Sequence, residues 1–453
     1  MRLIATLFPF CLSTAAAAVL GPKHEDHAKS ADVDRGTFQD PSKHVRPKFR
    51  YWIPDASVDP EVVAKDVKTA KEAGMGGLEL LGYYLYGGPP NNGAGRGNAA
   101  PVDWAEYGFG TEAWNRVFKA FVQAIKDNDM VMDFAVGPNQ GTGVPAPENT
   151  DGLSWDVAAY NVSVPLSGSF NDVLPGWGAG ELIAAITGLA INSTDVVRPD
   201  QLARDPGSLP GDYSLNRTQI TLSASSLTDI TNLTTADGRL SVDFAGTNNT
   251  AGINHTIFAV YQFRSDYRAQ DGPLDLGGPQ SDPETWRQNG SWAVDHFSSL
   301  GAKTTTEFWE RYLLSNGTLE MLQDVGNYAW EDSVEIAANL YWTLGLLDYF
   351  HSDHGYSLSK WLPLLFHRNG KYMNSNPDVW WVTDEPDQGN GHIADYRATL
   401  ANRYQSYLTG LNEWAEKYLK LPFSAQISYN LPMDMLENSK SSPGTSPLWI
   451  FHC

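Results

Sequence analysis

Carboxylate side chains gather at the ends of two candidate strands in the later part of the chain. Loops that follow the carboxyl ends of parallel strands form the active face of α/β barrels, so acids there are placed for chemistry. Glycoside hydrolysis requires one protonated carboxyl that assists the departing oxygen and one carboxylate that activates water or attacks the sugar. Each acid could instead cap a helix or pair with a lysine or arginine. The five acids are Glu331, Asp332, Glu335, Asp384 and Glu385.

Aromatic side chains near the same strand ends are a second signal. Tyr, Trp and Phe rings can bury the apolar C–H faces of sugars, while neighbouring polar groups bind the hydroxyls. Most such rings are expected to pack in the core, where aromatic side chains bury large areas. Three of them are candidate sugar contacts: Trp52, Tyr84 and Trp381.

Strands and helices alternate in the N-terminal part, and these elements would position the acids and rings. FRYWI (49–53) is a candidate strand, and Asp59 and Pro60 begin a helix that ends before Gly74. Thr111 opens a second helix with apolar residues at helical spacing, and the buried strand VMDFAVG (131–137) follows it. This βαβαβ order predicts a parallel sheet. Later candidate strands are YAWEDSVEI (328–336), VWWVTDE (379–385) and FSAQISY (423–429).

Residues 155 to 265 follow a different pattern. This stretch is rich in Ser, Thr, Asn and Gly and contains short alternating runs such as LSVDFAG and HTIFAVYQF. Antiparallel strands joined by turns have this pattern, so we predict a β domain inserted into the α/β unit. N-glycosylation sequons also concentrate in the middle of the chain, which is typical of exposed surface in a secreted protein. They begin at Asn161, Asn192, Asn216, Asn232, Asn248, Asn254, Asn289 and Asn316.

Composition limits the class of partner. The chain has 453 residues, 42% of them apolar, and a formal net charge of -21. Such a negative surface repels phosphate backbones and anionic lipids, so neither nucleic acid nor membrane is an expected partner. The first 18 residues resemble a secretory signal peptide, with Arg2, an apolar run and then small residues, so we expect a secreted, extracellular protein. Of the two cysteines, Cys11 lies in this signal, which leaves Cys453 without an internal disulfide partner.

Several blocks together resemble glycoside hydrolase family 106, the α-L-rhamnosidase family, and especially its fungal secreted relatives. The resemblance extends from about Phe49 to about Met435. Its most specific part is WEDSVEIAANLYWT (330–343), which is similar to the Asp-Ser-x-Glu strand end of the family followed by Trp-Thr. HGYSLSKWLPLL (354–365), YGFGTEAW (107–114) and VGPNQGTGVP (136–145) add to it.

The resemblance implies a catalytic (β/α)8 barrel with appended β domains, inversion at the anomeric carbon and a calcium ion in the active site. Glu335 and Asp332 match the Asp-Ser-x-Glu motif, so Glu335 is the first candidate catalytic carboxylate and Asp332 a catalytic, sugar-binding or metal-binding group. Glu385 matches less securely as a second catalytic residue. Glu331 and Asp384 are candidate substrate contacts, and no metal ligands are assigned.

The sequence therefore predicts an α/β protein containing a partial (β/α)8 barrel with an inserted antiparallel β domain. Because five or six barrel strands are fewer than the eight that close a barrel, we expect a C-terminally truncated chain. The resemblance implies that such a chain lacks a catalytic glutamate of the late barrel strands, so we expect it to be inactive as a glycosidase. The predicted segments are a signal peptide (1–18), a polar segment (19–45), the first part of the barrel (46–154), the inserted domain (155–265), the rest of the barrel (266–435) and an irregular tail (436–453).

Two alternatives to an inverting α-L-rhamnosidase remain open. The first is a secreted carbohydrate-binding protein without catalytic activity, which loss of the second carboxylate would favour. The second is a retaining glycosidase barrel, in which the two acids lie only about 5 Å apart. In each case the expected partner is a carbohydrate. The distance from Glu335 to Asp384 or Glu385 would distinguish the retaining from the inverting mechanism.

Overall fold

The computed structural model describes most of the chain from residue 35 to residue 426. The predicted signal peptide, the beginning of the polar segment, the predicted tail and Glu335 lie outside the described residues. The described ranges are 35–84, 103–139, 141–197, 216–245, 252–265, 267, 282–283, 285–332, 334, 336, 338–367, 369 and 378–426.

Strands and helices alternate in the first third, strands dominate the middle, and helices return in the last third. The strands are β1 (Lys48–Ile53), β2 (Gly77–Gly82), β3 (Val131–Ala135), β4 (Gly143–Val144), β5 (Trp155–Val164), β6 (Ser169–Val173), β7 (Glu181–Val197), β8 (Asn216–Leu222), β9 (Thr228–Asp229), β10 (Arg239–Asp243), β11 (Asn254–Arg264), β12 (Trp292–Ala293), β13 (Gly326–Glu331), β14 (Val379–Thr383) and β15 (Phe423–Ala425). The helices are α1 (Pro60–Glu72), α2 (Trp104–Tyr107), α3 (Glu112–Asp127), α4 (Ser299–Phe308), α5 (Thr318–Val325), α6 (Leu346–His354) and α7 (Asn390–Trp414).

The predicted starts of the first two long helices are confirmed. The Asp59 carboxylate accepts a hydrogen bond from the Glu61 amide at 2.9 Å, and Pro60 occupies the first helical position of α1. Thr111 caps α3 through its hydroxyl, which accepts from the Trp114 amide at 3.4 Å. These caps satisfy amides that have no partner within the helix, so the two helices begin where the sequence places them.

A parallel sheet contains five strands in the order β1-β2-β3-β13-β15. Leu78 and Leu80 of β2 share one apolar core with Val63 and Val67 of α1 and with residues of α3. Within the described ranges the sheet is open, so the expected (β/α)8 barrel is not found as a closed barrel. The architecture is a mixed α/β fold.

The second sheet has the order β14-β8-β7-β11-β5, with β9 added beside β7. Its strands β5, β7, β8 and β11 pair antiparallel, as predicted for residues 155 to 265. However, β14 pairs parallel with β8, from Val379 opposite Thr218 to Thr383 opposite Leu222. The prediction that VWWVTDE continues the barrel is therefore wrong, because this strand completes the edge of the second sheet.

The second sheet buries both of its faces. Phe258 and Val260 of β11 belong to the main core that also contains the helices of the parallel sheet. Ile257 and Tyr261, which alternate with them, pack in a smaller core beneath the two-stranded β6-β10 ribbon. In the part of the chain that the structure describes, no helix has the length and apolar character needed to cross a bilayer.

Candidate functional site

The face of the parallel sheet that points away from Leu78 and Leu80 carries a row of charged side chains. Arg50 of β1 lies opposite Glu79 of β2, which lies opposite Asp133 of β3. Because side chains alternate between the two faces of a strand, Glu79 and Asp133 point away from the leucine side. Leu81, Ala135 and Trp330 form a small apolar cluster on this same face with Tyr83 packed against it. We call this surface the polar face.

Glu79 is a buried acid of the polar face with a raised pKa. The residue is only 7% exposed. The Trp52 indole N–H donates to the carboxylate at 3.4 Å, and the Arg50 guanidinium lies at the same distance. Burial nevertheless raises the pKa of Glu79 to about 7, with smaller increases from the charges of Asp133 and Asp332 that oppose the effect of Arg50. Near neutral pH, Glu79 therefore keeps a proton for a substantial part of the time.

Asp133 is held in place by a β-bulge in the neighbouring strand. The pairing between β13 and β3 shifts register between Gly326 and Tyr328. The side-chain amide of Asn327 donates to the Asp133 carboxylate at 2.6 Å. Bulges aim a side chain that regular pairing would direct elsewhere. Burial raises the pKa of Asp133, so two acids on adjacent strands favour the protonated form more than exposed acids do.

Asp332 follows the last residue of β13 directly and is half-buried. Its charge contributes to the raised pKa of Glu79, which places the two acids within electrostatic reach of each other. The predicted site residue Asp332 is thus next to the polar face. Glu335, the first candidate catalytic carboxylate, lies outside the described residues.

Asp156 of β5 binds the chain that follows Asp332. Asp156 accepts hydrogen bonds from the Asn339 and Leu340 amides at 3.0 and 3.2 Å, and from the Asn339 side chain at 3.1 Å. Val334 and Ile336 are buried in the main core. We call the stretch from Asp332 to Leu340 the acidic segment. It is held by β13 at its beginning and by Asp156 at its end.

Glu331 is not a surface substrate contact, contrary to the sequence-based expectation. It is 1% exposed, and its carboxylate lies 2.7 Å from His296 Nε2 and accepts from the Tyr407 hydroxyl at 2.6 Å. Adjacent strand residues point to opposite faces, so Glu331 faces α7 while Trp330 faces the polar side. Its partners make it an internal structural group.

Of the three candidate aromatic contacts, two lie away from the polar face and one lies on it. Tyr84 is fully buried and donates its hydroxyl proton to the Tyr107 carbonyl at 2.8 Å. Trp381 is in the second sheet and packs edge-on against Phe258, with 4.7 Å between the ring centroids. Trp52 remains partly exposed on the polar face, but its ring stacks on Tyr83 and lies 4.8 Å from the Arg50 guanidinium carbon.

Asp384 and Glu385 are separated from the polar face because β14 belongs to the second sheet. Asp384 accepts from the Ala224 amide at 2.8 Å. Glu385 accepts from the Thr383 hydroxyl at 2.8 Å and lies 3.5 Å from His392 Nε2, at the edge of a cavity of about 520 Å³. Their predicted roles in one active site with Asp332 are not supported by this placement.

Comparisons with known proteins found a solved structure with a similar fold. No protein-family model matches the sequence, and no curated protein matches it. The rhamnosidase from Novosphingobium sp. PP1Y superposes with a TM-score of 0.53 and 15% sequence identity, over 86% of this chain and 46% of that one. The chain has a rhamnosidase-like fold. It spans about half the length of that rhamnosidase, and membership of family 106 and a fungal origin stay predictions.

In this rhamnosidase-like fold, three charged residues of the polar face were missed by the analysis of the sequence. They could have been found as single charges inside apolar strands: the acid in GLELLG, the acid in VMDFA and the arginine in FRYWI. A charge at such a position is costly to bury unless it is paired or has a function. The missed residues are Arg50, Glu79 and Asp133.

The expected calcium ion has no matching ligand set in the described ranges. Calcium prefers six to eight oxygen ligands, several of them carboxylates. Among the residues that the structure describes, no group of three or more Asp, Glu, His or Cys side chains is arranged to hold a metal ion. The calcium ion therefore stays a prediction.

The sequons differ in accessibility. Asn161, Asn192, Asn232 and Asn316 are exposed, and Asn254 is half-buried. Asn289 is only 5% exposed, so the expectation that every sequon marks accessible surface is wrong at this position. Asn248 lies outside the described residues, as does the side chain of Asn216.

Proposed function

We propose that the chain is a glycoside hydrolase of the α-L-rhamnosidase type whose reaction takes place on the polar face. The observation that carries the proposal is the pair of acids Glu79 and Asp332 on the parallel sheet. Glu79 is buried and has a raised pKa, and Asp332 directly follows the end of β13. Acid-base hydrolysis of a glycosidic bond needs one protonated carboxyl group and one carboxylate, and the burial of Glu79 favours the protonated form there. The rhamnosidase-like fold supports the choice of substrate.

In this proposal Glu79 is the proton donor. Its burial favours the neutral acid, which can protonate the glycosidic oxygen as the bond to the anomeric carbon breaks. A carboxylate of the acidic segment, Glu335 or Asp332, accepts a proton from the water that attacks the opposite side of that carbon. The product sugar then has inverted configuration, and each acid returns to its starting state by exchange with solvent.

We further propose that the protein is secreted and acts on α-L-rhamnosides in polysaccharides or glycosides. The apolar N-terminal run and the eight sequons support secretion. Calcium is assigned no step of the proposed reaction and stays a prediction of the family resemblance.

Release of 4-nitrophenol from its α-L-rhamnoside by the purified chain tests the proposed function. The expected lack of the late-strand glutamate would leave the chain inactive, but in this proposal Glu79 supplies the second carboxyl group, so we expect turnover. Asp332→Asn and Glu335→Gln should each reduce the rate by at least about 10²-fold, because each removes an ionisable group. Glu385→Gln is the matched control. Its rate should equal that of the wild type, because Glu385 lies at the cavity beside His392 and away from the polar face. Binding of rhamnose without turnover would favour the non-catalytic alternative, and absence of both binding and turnover would reject the proposal.

A further inference from the structure

Two exposed aromatic rings lie flat on glycines at the rim of the β6-β10 ribbon. Trp177 is 42% exposed and Tyr160 is 39% exposed. A Cβ atom added to Gly238 would overlap the Trp177 indole, and one added to Gly176 would overlap the Tyr160 ring. Each ring therefore rests on bare backbone. Such close approach of a ring to the main chain requires glycine.

The two rings share a rigid support. Both meet Tyr261 nearly edge-on, with centroid separations of 6.4 Å for Trp177 and 5.9 Å for Tyr160. Tyr261 is fully buried and donates its hydroxyl proton to the Pro175 carbonyl at 3.0 Å. Because glycine backbone and Tyr261 occupy the inner sides of the rings, their exposed area faces solvent. We call Trp177 and Tyr160 the aromatic platform.

Polar groups beside the platform are balanced in charge. Asp237 and Arg239 flank Gly238, are both exposed and form an ion pair at 3.8 Å. Asp237 also accepts from the Thr235 hydroxyl at 2.6 Å. A neutral ligand rich in hydroxyl groups matches such a pair, which offers both acceptors and donors. Phosphate groups and anionic lipids are disfavoured here, because Arg239 is paired with Asp237 and the formal net charge of the chain is -21.

We propose that the aromatic platform is a carbohydrate-binding site for the pyranose rings of a neutral polysaccharide. The apolar C–H face of a sugar would lie on Trp177 or Tyr160, and its hydroxyls would bond to Asp237 and Arg239. Isolated exposed aromatic side chains are normal on protein surfaces and need no function. Trp177 and Tyr160 each rest on a glycine and both contact the same buried tyrosine, which fixes the positions of their exposed rings.

The platform is separate from the polar face. Tyr261 points towards the ribbon, whereas the adjacent Val260 points into the main core shared with the parallel sheet. The platform therefore lies on the outer side of the second sheet. It can hold a polymer without taking part in hydrolysis, and its ligand does not depend on the proposed reaction.

Affinity electrophoresis of the full chain, freed of N-glycans by enzymatic treatment, tests the platform. The gels contain xyloglucan, arabinoxylan or galactomannan, which are neutral polysaccharides. We expect at least one of them to retard the wild type, and Trp177→Ala and Tyr160→Ala to weaken the retardation about tenfold or more. Trp177→Phe should keep part of it. Leu233→Ala, at another exposed apolar residue, is the control and should migrate as the wild type does.

The outcomes separate this proposal from its alternatives. If none of the three polysaccharides retards the wild type, or if Trp177→Ala is retarded as strongly as the wild type, the platform is not a polysaccharide site. Sedimentation of the chain with phosphatidylcholine vesicles, lost in Trp177→Ala, would assign the rings to a membrane instead and overturn the proposal. Rates with the aryl rhamnoside should be the same in all platform variants, so failure here leaves the proposed function untouched. Equal thermal midpoints of the variants and the wild type establish that they are folded.

Discussion

A buried acid in the middle of an apolar strand is the residue on which the proposed chemistry depends. We expect Glu79→Gln to lower kcat for the aryl rhamnoside by about 10²-fold or more with little change in KM, because the amide keeps the shape and cannot donate a proton in the same way. Since the pKa of Glu79 is raised to about 7, the wild-type rate should fall as the pH rises above 7 and the proton is lost.

Glu72→Gln is the matched control for this prediction, because Glu72 is an exposed acid paired with Lys68 in α1. It should keep the wild-type rate and pH profile. A Glu79→Gln enzyme with wild-type kcat, or a wild-type profile that is flat between pH 6 and 8, would remove Glu79 from the mechanism.

The buried Glu331 network should contribute to stability at the level of single hydrogen bonds. His296 Nδ1 lies 2.8 Å from the Val294 carbonyl and must donate to it, so one further proton is shared between His296 Nε2 and Glu331. Tyr407→Phe removes the donor to the other carboxylate oxygen. We expect it to lower the free energy of unfolding by about 1–3 kcal/mol, because the buried carboxyl oxygen loses its hydrogen-bond donor.

Urea denaturation measures this loss. Tyr404→Phe is the matched control, since Tyr404 is a fully buried tyrosine on the same helix and its hydroxyl is not hydrogen-bonded to Glu331 in the described structure. It should cost less than Tyr407→Phe. An equal loss in both variants would mean that packing, and not the bond to Glu331, determines the effect.

At the scale of elements, Asp156 of β5 joins the second sheet to the segment that follows β13. Removing its carboxylate in Asp156→Ala leaves the Asn339 and Leu340 amides without their acceptor. We expect a loss of about 2–3 kcal/mol in the free energy of unfolding and faster hydrogen exchange at these two amides than in the wild type.

Asp243→Ala is the control for Asp156→Ala, because Asp243 accepts a single bond from the Ala245 amide in an exposed turn. It should change neither exchange at Asn339 nor stability by more than about 1 kcal/mol. Unchanged exchange at Asn339 and Leu340 in Asp156→Ala would show that packing of Val334 and Ile336 suffices to hold the segment.

At the scale of the whole molecule, buried acids predict the direction in which stability changes with pH. Burial raises the pKa of Glu79 to about 7 and that of Asp295 to about 6. The folded state then binds more protons than the unfolded state between about pH 4 and 7, so their contribution to stability is lost as the pH rises through this window. For Glu79 the shift corresponds to about 3 kcal/mol.

Thermal midpoints measured from pH 5 to pH 8 check this prediction. We expect the wild-type midpoint to fall as the pH rises, and Glu79→Gln to flatten the part between pH 6 and 8. A wild-type midpoint that increases with pH would indicate that Glu79 is ionised in the folded state and fully compensated by Arg50. Glu72→Gln again serves as the control and should follow the wild-type curve.

Elements whose sequence signals are local could be predicted from the sequence alone. The caps Asp59 and Thr111 and the apolar spacing behind them set the beginnings of α1 and α3, because a helix is specified by residues within a few turns. The strands β1, β2 and β3 and the antiparallel character of residues 155 to 265 followed from patterns of comparable length. The predicted position of Asp332 at the end of β13 also required only local information.

Which sheet a strand joins and which face of the sheet a residue occupies depend on tertiary contacts. Four of the five residues of VWWVT are apolar, so the strand could pair with either sheet, and its pairing with β8 depends on residues about 160 positions earlier in the chain. Glu331 and Asp332 are neighbours in sequence, yet one faces His296 and Tyr407 and the other lies beside the polar face. Alternation along a strand tells that adjacent side chains diverge, but which of them meets the helices depends on what packs against each face of the sheet.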